Sequence, residues 1–398
     1  MNKAIKLFGI NALTTLIGFS MIACNSNGRN TNSNESNNPT PGNPQPFNDM
    51  TAVELVSNMR VGWNLGNTLD CSGLAWLGGS SSAYQLETAW GNPVTKKDNI
   101  TALKNAGFNV IRLPVSWAKC ADKNYTIRAN WMARVTEVVN YAVENDMYVI
   151  LNTHHDEEIF KFKDADTKES LKAFARIWEQ IAGNFKNYNE KLIFEGLNEP
   201  RTKGSVKEWQ GGTPEEHNNL NAHYQVFVNT VRASGGNNDK RFLLVNTYAA
   251  SGEAVAQNAL IIPQDTAQNK IIASYHAYAP YDFALNTNSP INTWDKNKSS
   301  DTSPITTPIN QAYSTFVSKG IPVIIGEFGA MNKDNVEARA EWAEFYTSFA
   351  KDKGIPCVWW DNGVISGNGE KFGLLNRGTN AFTYPEIIDG LMRGTTVR

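Results

Sequence analysis

From Met50 to the C-terminus, short β-branched apolar runs alternate with longer amphipathic stretches, and this period limits the fold more than any single motif does. Eight runs read as strands: 61–67, 109–114, 148–154, 192–199, 241–248, 271–278, 322–329 and 357–363. Helical patterns fall between them near 96–106, 131–145, 169–187, 216–234, 305–319 and 336–352, with weaker ones near 253–259 and 384–393. Parallel strands need such helical crossovers, and eight of these units close into a single (β/α)8 TIM barrel of the α/β class. The alternative is an open doubly wound sheet. Gly62 and Gly66, however, lie in a strand end that carries Trp and Asn, not in a G-x-G-x-x-G phosphate loop, which favours the barrel. Residues 49–398 therefore read as one barrel domain, with Ala279–Ser303 as a polar loop carrying Trp294.

The N-terminus has another character. Residues 1–24 read as a secretory signal: Lys3 and Lys6 precede an apolar run from Leu7 to Ile22, and Ala23 precedes Cys24. As a helix the run would reach roughly 24 Å, short of a bilayer core of about 30 Å. Its Ile-Ala-Cys ending resembles a bacterial lipoprotein cleavage box, so lipidation at Cys24 is expected, with plain secretion as the alternative. Residues 25–48 are rich in Asn, Ser, Thr, Gly and Pro and read as a flexible tether. The chain is expected to be exported, as an outer-membrane lipoprotein at the cell surface or in the periplasm. A net charge of -2 gives no reason to expect nucleic acid or an anionic membrane surface, so membrane contact is expected only through Cys24. A monomer is expected. Three cysteines remain, Cys71, Cys120 and Cys357, in no zinc or redox spacing. A Cys71–Cys120 disulfide is weighed against free thiols, and the strict bridging geometry favours the thiols.

In such a barrel the loops after the strands build the site. The expected strand ends deliver Asn64 and Asn67, Arg112 and Trp117, His154, His155 and Asp156, Asn198 and Glu199, Asn246 and Tyr248, His276 and Tyr278, Glu327, then Trp359, Trp360, Asp361 and Asn362. Polar and aromatic groups at all eight ends exceed what packing requires. With 11 Trp in the chain, about a third are expected to line a groove for a ligand with flat apolar faces. Glu199 and Glu327 each end an apolar run, so one barrel rim would hold two carboxylates, the equipment for breaking a glycosidic bond. One of the two must hold a proton near neutral pH, which calls for a raised pKa. Glu195 shares strand parity with Glu199 and should point inward, with Arg112 as candidate partner. His154 and His155 are adjacent on an expected strand and should face opposite ways, so no metal site is expected there and no cofactor is called for. His217 and His223 are expected on a helix surface.

These segments resemble glycoside hydrolase family 5, the cellulase family. The similarity runs from about Met50 to Leu391 through Gly62-Trp63-Asn64-Leu65-Gly66-Asn67-Thr68-Leu69-Asp70, Trp90-Gly91-Asn92-Pro93, Arg112-Leu113-Pro114-Val115-Ser116-Trp117, Asn152-Thr153-His154-His155, Asn198-Glu199-Pro200-Arg201, His276-Ala277-Tyr278, Gly326-Glu327-Phe328-Gly329 and Trp360-Asp361-Asn362-Gly363. Each piece is weak alone; together and in this order they are specific. The first two look like the bacterial endoglucanase and xyloglucanase branch. The resemblance implies a retaining endo-β-1,4-glucanase acting on cellulose-like or mixed-linkage β-glucan. It makes Glu199 the general acid/base and Glu327 the nucleophile. Asn198 would bond the sugar 2-hydroxyl, Arg112 would lie beside the nucleophile, and His276 and Tyr278 would shape the same pocket. His154 matches the family's strand-three histidine. Trp360 would be the platform under the cleaved sugar, with Trp359 as the neighbour one position away, and Asn67 would meet sugars farther from the cut. A xyloglucan- or mannan-directed hydrolase on the same site is the alternative, and a non-catalytic glycan-binding barrel is the reading from another class.

Overall fold

The computed structural model describes residues 44–78 and 80–396. The signal segment, Cys24 and most of the tether lie outside the described residues. Eight strands, β1 (Val61–Leu65), β2 (Val110–Leu113), β3 (Tyr148–Asn152), β4 (Leu192–Glu195), β5 (Leu243–Ser251), β6 (Ile271–His276), β7 (Val323–Phe328) and β8 (Cys357–Asp361), form a closed parallel barrel. β8 pairs back onto β1 with Val61 opposite Cys357 and Leu65 opposite Asp361. Each expected strand is present; seven are trimmed by a few residues at their ends, and β5 instead starts two residues later and runs three residues beyond its expected end at 248.

The barrel interior is built in layers two residues apart, as the strand period requires. The lower layer is apolar: Val110, Ile150, Ile193, Leu244, Ile272, Ile324 and Val358 pack together, and the helix Ala52–Ser57 closes the barrel beneath them with Leu55 and Val56. β1 contributes Gly62 here. A Cβ on Gly62 would meet Val358 and Val110 at 2.9–3.0 Å, so a side chain there would overfill the layer. Two residues further along, seven strands turn polar or small, with Asn64, Arg112, Asn152, Glu195, Asn246, Ser274 and Gly326, while β8 contributes Trp360. This second layer is the floor of the site.

The outer helices bury one stripe each, as in Asp164–Phe185, where Phe174, Ile177, Trp178, Ile181 and Phe185 recur at three- and four-residue spacing. The helix Pro214–Ala233 starts at a capping box in which Thr213 accepts from the Glu216 backbone N–H and Glu216 accepts from that of Thr213. The helix expected at 305–319 begins earlier, at Ser299, and carries Pro304 and Pro308 within it. Those prolines moved the expected start, because Pro normally marks a helix boundary. Trp294 is buried against Phe345 and does not face a groove. Cys71, Cys120 and Cys357 are all free and buried, so no Cys71–Cys120 disulfide forms.

His223 is not on the surface as expected. It is fully buried between Ser170 Oγ, at 2.7 Å from Nε2, and the Asn219 carbonyl, at 2.7 Å from Nδ1. It belongs to the helix's inward stripe, a position that charge-neutral His can occupy when both nitrogens are bonded. His217 is half-buried, with Nε2 at 2.6 Å from the Gly211 carbonyl. Burial lowers the His223 pKa from 6.5 to about 4. Between those values the unfolded chain binds a proton that the folded chain does not. Stability from this site is thus complete above pH 6.5 and lost as pH falls toward 4, by up to roughly 3 kcal/mol. Thermal melts from pH 7 to pH 4 should show this decline, and His223→Gln should flatten it; an unchanged slope in the variant would refute the assignment.

Candidate active site

The floor is organised by Arg112, which is completely buried. Its Nε donates to Glu195 Oε2 at 2.7 Å. Nη2 donates to Glu195 Oε1 at 2.9 Å and Asn198 Oδ1 at 2.7 Å. Nη1 donates to Asn64 Oδ1 at 2.9 Å and Glu327 Oε1 at 2.7 Å. A guanidinium has five N–H donors, and all five are used. Burial opposes its charge, but Glu195 and Glu327 outweigh burial and raise its pKa. Glu195 also accepts from Asn246 Nδ2. The expected Arg112–Glu195 pairing is therefore present, and it extends to the site itself.

Because Arg112 can only donate, its bond fixes Asn198 with the amide oxygen down and the NH2 free for a sugar hydroxyl. Glu327 receives a second donor from above: Tyr278 OH to Oε2 at 2.7 Å. Burial, then the charge on Glu327, keeps the Tyr278 phenol well above its ordinary pKa, hence protonated. Across the groove, a carboxylate oxygen of Glu199, one of Glu327 and a ring nitrogen of His276 lie within 4.8 Å of one another. His276 Nδ1 is 3.1 Å from Glu199 Oε1 and 3.6 Å from Glu327 Oε2. Gly326 makes room for it: a Cβ there would come within 3.0 Å of His276 Nε2.

His154 is also held in one state. Asn152 Oδ1 accepts from the Val115 N–H at 3.0 Å, so Asn152 Nδ2 donates to His154 Nδ1 at 3.1 Å and the ring hydrogen sits on Nε2. Burial, then the charges of His155 and Arg112, pushes its pKa well down, so it is a neutral donor. Its ring lies parallel to Trp360, with 5.9 Å between centroids. Trp360 lines the groove beside Asn67, whereas Trp359 faces outward against Phe328 and Trp342, with Nε1 on the Phe372 carbonyl.

Two expectations fail here. His154 and His155 do not face opposite ways: β3 ends at Asn152, strand alternation stops, and both histidines line the groove with Asp70 nearby. A ligand atom from each of Asp70, His154 and His155 lies within 4.8 Å of the others. Neutral His154 nevertheless has no free lone pair for an ion, and the Asp70 carboxylate is taken by the N–H groups of Asn67 and Thr68. Second, the Glu199 carboxyl is not raised. Burial pushes it up, but His276, then Arg201 and His155, outweigh burial and hold it below the ordinary value. Of the other strand-end residues, Tyr248 turns away from the groove to Glu216, and Asp156 and Asp361 hold loop N–H groups.

Sequence reasoning missed several lining groups: Trp90, Trp209, Leu285, Glu370 and Phe372. Trp90, Trp209 and Trp360 are the three groove tryptophans among the chain's 11, close to the expected third. Beside the catalytic pocket, of about 560 Å³, opens a larger cavity of about 1260 Å³ lined by Trp209, Tyr281, Leu285, Pro304 and Pro308. The segment 279–303 thus borders the groove through Tyr281, Leu285 and a serine-rich helix start.

The sequence pattern described as Cellulase (glycosyl hydrolase family 5) matches residues 74–366. The chain belongs to glycosyl hydrolase family 5. It is 45% identical over 346 residues to Endoglucanase A of Clostridium longisporum, covering 86% of this chain and 66% of that one. It is 44% identical to the cellulase/esterase of Acetivibrio thermocellus, covering 88% and 41%. With Endoglucanase B of Ruminococcus albus it shares 46% identity, covering 85% and 80%. The chain therefore spans about two thirds or less of the first two relatives. Among solved structures, a GH5-4 broad specificity endoglucanase from Ruminococcus champanellensis with bound cellotriose matches with TM-score 0.84 and 45% identity, covering 87% of this chain and 100% of that one. A family 5 lichenase from Caldicellulosiruptor sp. F32 matches with TM-score 0.82 and 41% identity, covering 89% and 98%.

Lysine at position 112 could make three of the five bonds, leaving buried acceptors beside two carboxylates without donors. Arg112→Lys should cost roughly 3 kcal/mol of stability and most of the activity. A denaturant titration showing a loss under about 1 kcal/mol would mean that the network is not the framework described.

Proposed function

We propose that this protein is a retaining endo-β-1,4-glucanase that cleaves internal bonds of cellulose-like or mixed-linkage β-glucan, with Glu327 as nucleophile and Glu199 as acid/base. The observation that carries this reading is the approach of the two carboxylates to within 4.8 Å at their nearest oxygens. Retaining enzymes hold the two carboxyls about 5–5.5 Å apart, so that one attacks the anomeric carbon directly; inverting enzymes leave a wider gap for a water.

The surroundings divide the roles. Glu327 is gripped at both oxygens, by Arg112 and Tyr278, which aims it and balances its charge. Glu199 lines the groove, its side chain about 19% exposed, and lies 3.1 Å from His276 Nδ1. Proton donation to the departing sugar oxygen uses the protonated Glu199, which a bound chain promotes by excluding water from the carboxyl. When the nucleophile becomes an ester its negative charge is lost, and the pull of His276 and Arg201 then favours ionised Glu199, the base that activates water in the second step. Asn198 NH2 is set to bond the 2-hydroxyl, and Trp360 underlies the sugar ring. Asn67 and His154 meet the sugars beyond it.

Mixed-linkage and unbranched glucan fit the names of the relatives, which are endoglucanases and, in one case, a lichenase. The large cavity next to the acid/base favours a second reading, in which branched xyloglucan is also accepted, because a side chain needs width on the groove wall. For the N-terminus we propose export through residues 1–24 and lipidation at Cys24, on the signal-like sequence.

Proton NMR of the first products from a β-glucan should show the β-anomer; an initial α-anomer would exclude the retaining reading. Glu199→Ala should slow polymer cleavage by roughly 10²–10⁴-fold and activated aryl β-cellobiosides far less, since a good leaving group needs little protonation. Equal loss on both would remove Glu199 from the acid role.

A further inference from the structure

Arg201 lies two residues beyond Glu199 and returns to it. Nη1 donates to the Glu199 carbonyl oxygen at 2.8 Å and approaches its Oε2 at 3.4 Å. The guanidinium stacks on Trp209, with its carbon 4.5 Å from the ring centroid. Its Nε donates to Glu208 Oε1 at 3.1 Å, and Nη2 is 3.6 Å from Glu157 Oε1. The side chain is 9% exposed. Glu157 in turn is held by Lys203 at 3.1 Å and faces His155 Nδ1 at 3.5 Å. A buried cation with two carboxylates behind it and the candidate acid in front is more than a loop staple needs.

We propose that Arg201 is a positioning residue for Glu199: anchored by Trp209, Glu208 and Glu157, it orients the carboxyl toward the leaving-group oxygen and places a fixed positive charge beside it, part of which Glu157 and Glu208 draw off. The inference rests on Glu199 being the acid/base. The groups that face Glu199 are His276 from β6, Glu327 from β7 and Tyr278 after β6, together with His155 after β3, Glu370 after β8 and Arg201 itself. An arginine guanidinium stays charged throughout the working pH range, so Arg201 supplies a constant part of the field on the acid. Its ring contact also connects that field to Trp209, which lines both the catalytic pocket and the large cavity. The opposite charge sits close enough to move a carboxyl by 1–3 units or so if unshared; division among three carboxylates reduces this.

The experiment is the pH profile of kcat/KM for the purified enzyme and for Arg201→Met, Arg201→Lys and Glu208→Gln, on a soluble β-glucan and on an activated aryl β-cellobioside. In Arg201→Met the basic limb should move up by about 0.5–1 pH unit, with a larger rate loss on the polymer than on the aryl substrate. In Arg201→Lys the limb should stay near that of the parent while kcat falls, because the charge remains and the planar fork is lost. In Glu208→Gln the limb should move down, since Arg201 then acts on Glu199 with more of its charge. Opposite shifts in Arg201→Met and Glu208→Gln are not produced by loosened packing, and Glu208→Gln keeps the test open if Arg201→Met folds poorly. A stationary basic limb in both, or a shift of the same sign in both, overturns the proposal. If Glu199→Ala discriminates between leaving groups while these limbs do not move, only the role of Arg201 falls; if Glu199→Ala fails to discriminate, the acid assignment falls first.

Discussion

The site depends on one buried cation whose five donors are all engaged. Arg112 joins β2 to β1 through Asn64, to β4 through Glu195, to the loop after β4 through Asn198, and to β7 through Glu327. A positive charge in a protein interior is costly unless it is paired and bonded. Here the pairing is made to the residues that the proposed mechanism must place: Glu327, the proposed nucleophile, and Asn198, the proposed partner of the 2-hydroxyl. Desolvation of the cation and orientation of the nucleophile are two aspects of the same set of contacts.

The apolar layer beneath makes that network affordable. Seven branched side chains and Gly62 fill the barrel one step below, and the helix Ala52–Ser57 seals it from solvent. In that low-dielectric setting the contacts of His276, Tyr278 and Arg201 with the two glutamates act strongly, and a small change in charge near Glu199 has chemical consequences. Glu327 is held from two sides by Arg112 and Tyr278, while Glu199 is held by His276 and by Arg201 of the loop carrying Trp209. In the proposed mechanism the nucleophile has one task and is fixed, whereas the acid/base must change state twice per turnover.

Much of this was legible in the sequence, for a physical reason. Strand parity is strict, so once Ile193 is inside, Glu195 must be, and its need for a partner points to Arg112. Motif order supplied the rest of the catalytic set: Asn198, Glu199, His276, Tyr278, Glu327 and Trp360 all meet in one groove. Parity misled where strands end. His155 was assigned away from the groove because β3 was read two residues too long, and Tyr248 was given to the site although the bulge after Asn246, with Ala249 and Ala250 at φ of 53° and 47°, turns it outward. His223 was misplaced because a histidine in a helical stripe looks polar until both its nitrogens are seen to be bonded. Trp90, Trp209 and Glu370 could not be assigned from sequence because they stand on loops, whose course no local period fixes. The direction of the Glu199 shift was also out of reach, since Arg201 and His276 act on it through space.

The central claim is that Glu327 makes the bond to the sugar. A 2-deoxy-2-fluoro β-cellobioside with an activated aryl leaving group, whose fluorine slows both steps while the leaving group restores the first, should inactivate the enzyme with a stoichiometric mass increase. Peptide mapping of the trapped protein should place the fluoro-cellobiosyl ester on Glu327. A label on Glu199 or elsewhere, or turnover without any covalent species under conditions that trap the intermediate, would contradict the account.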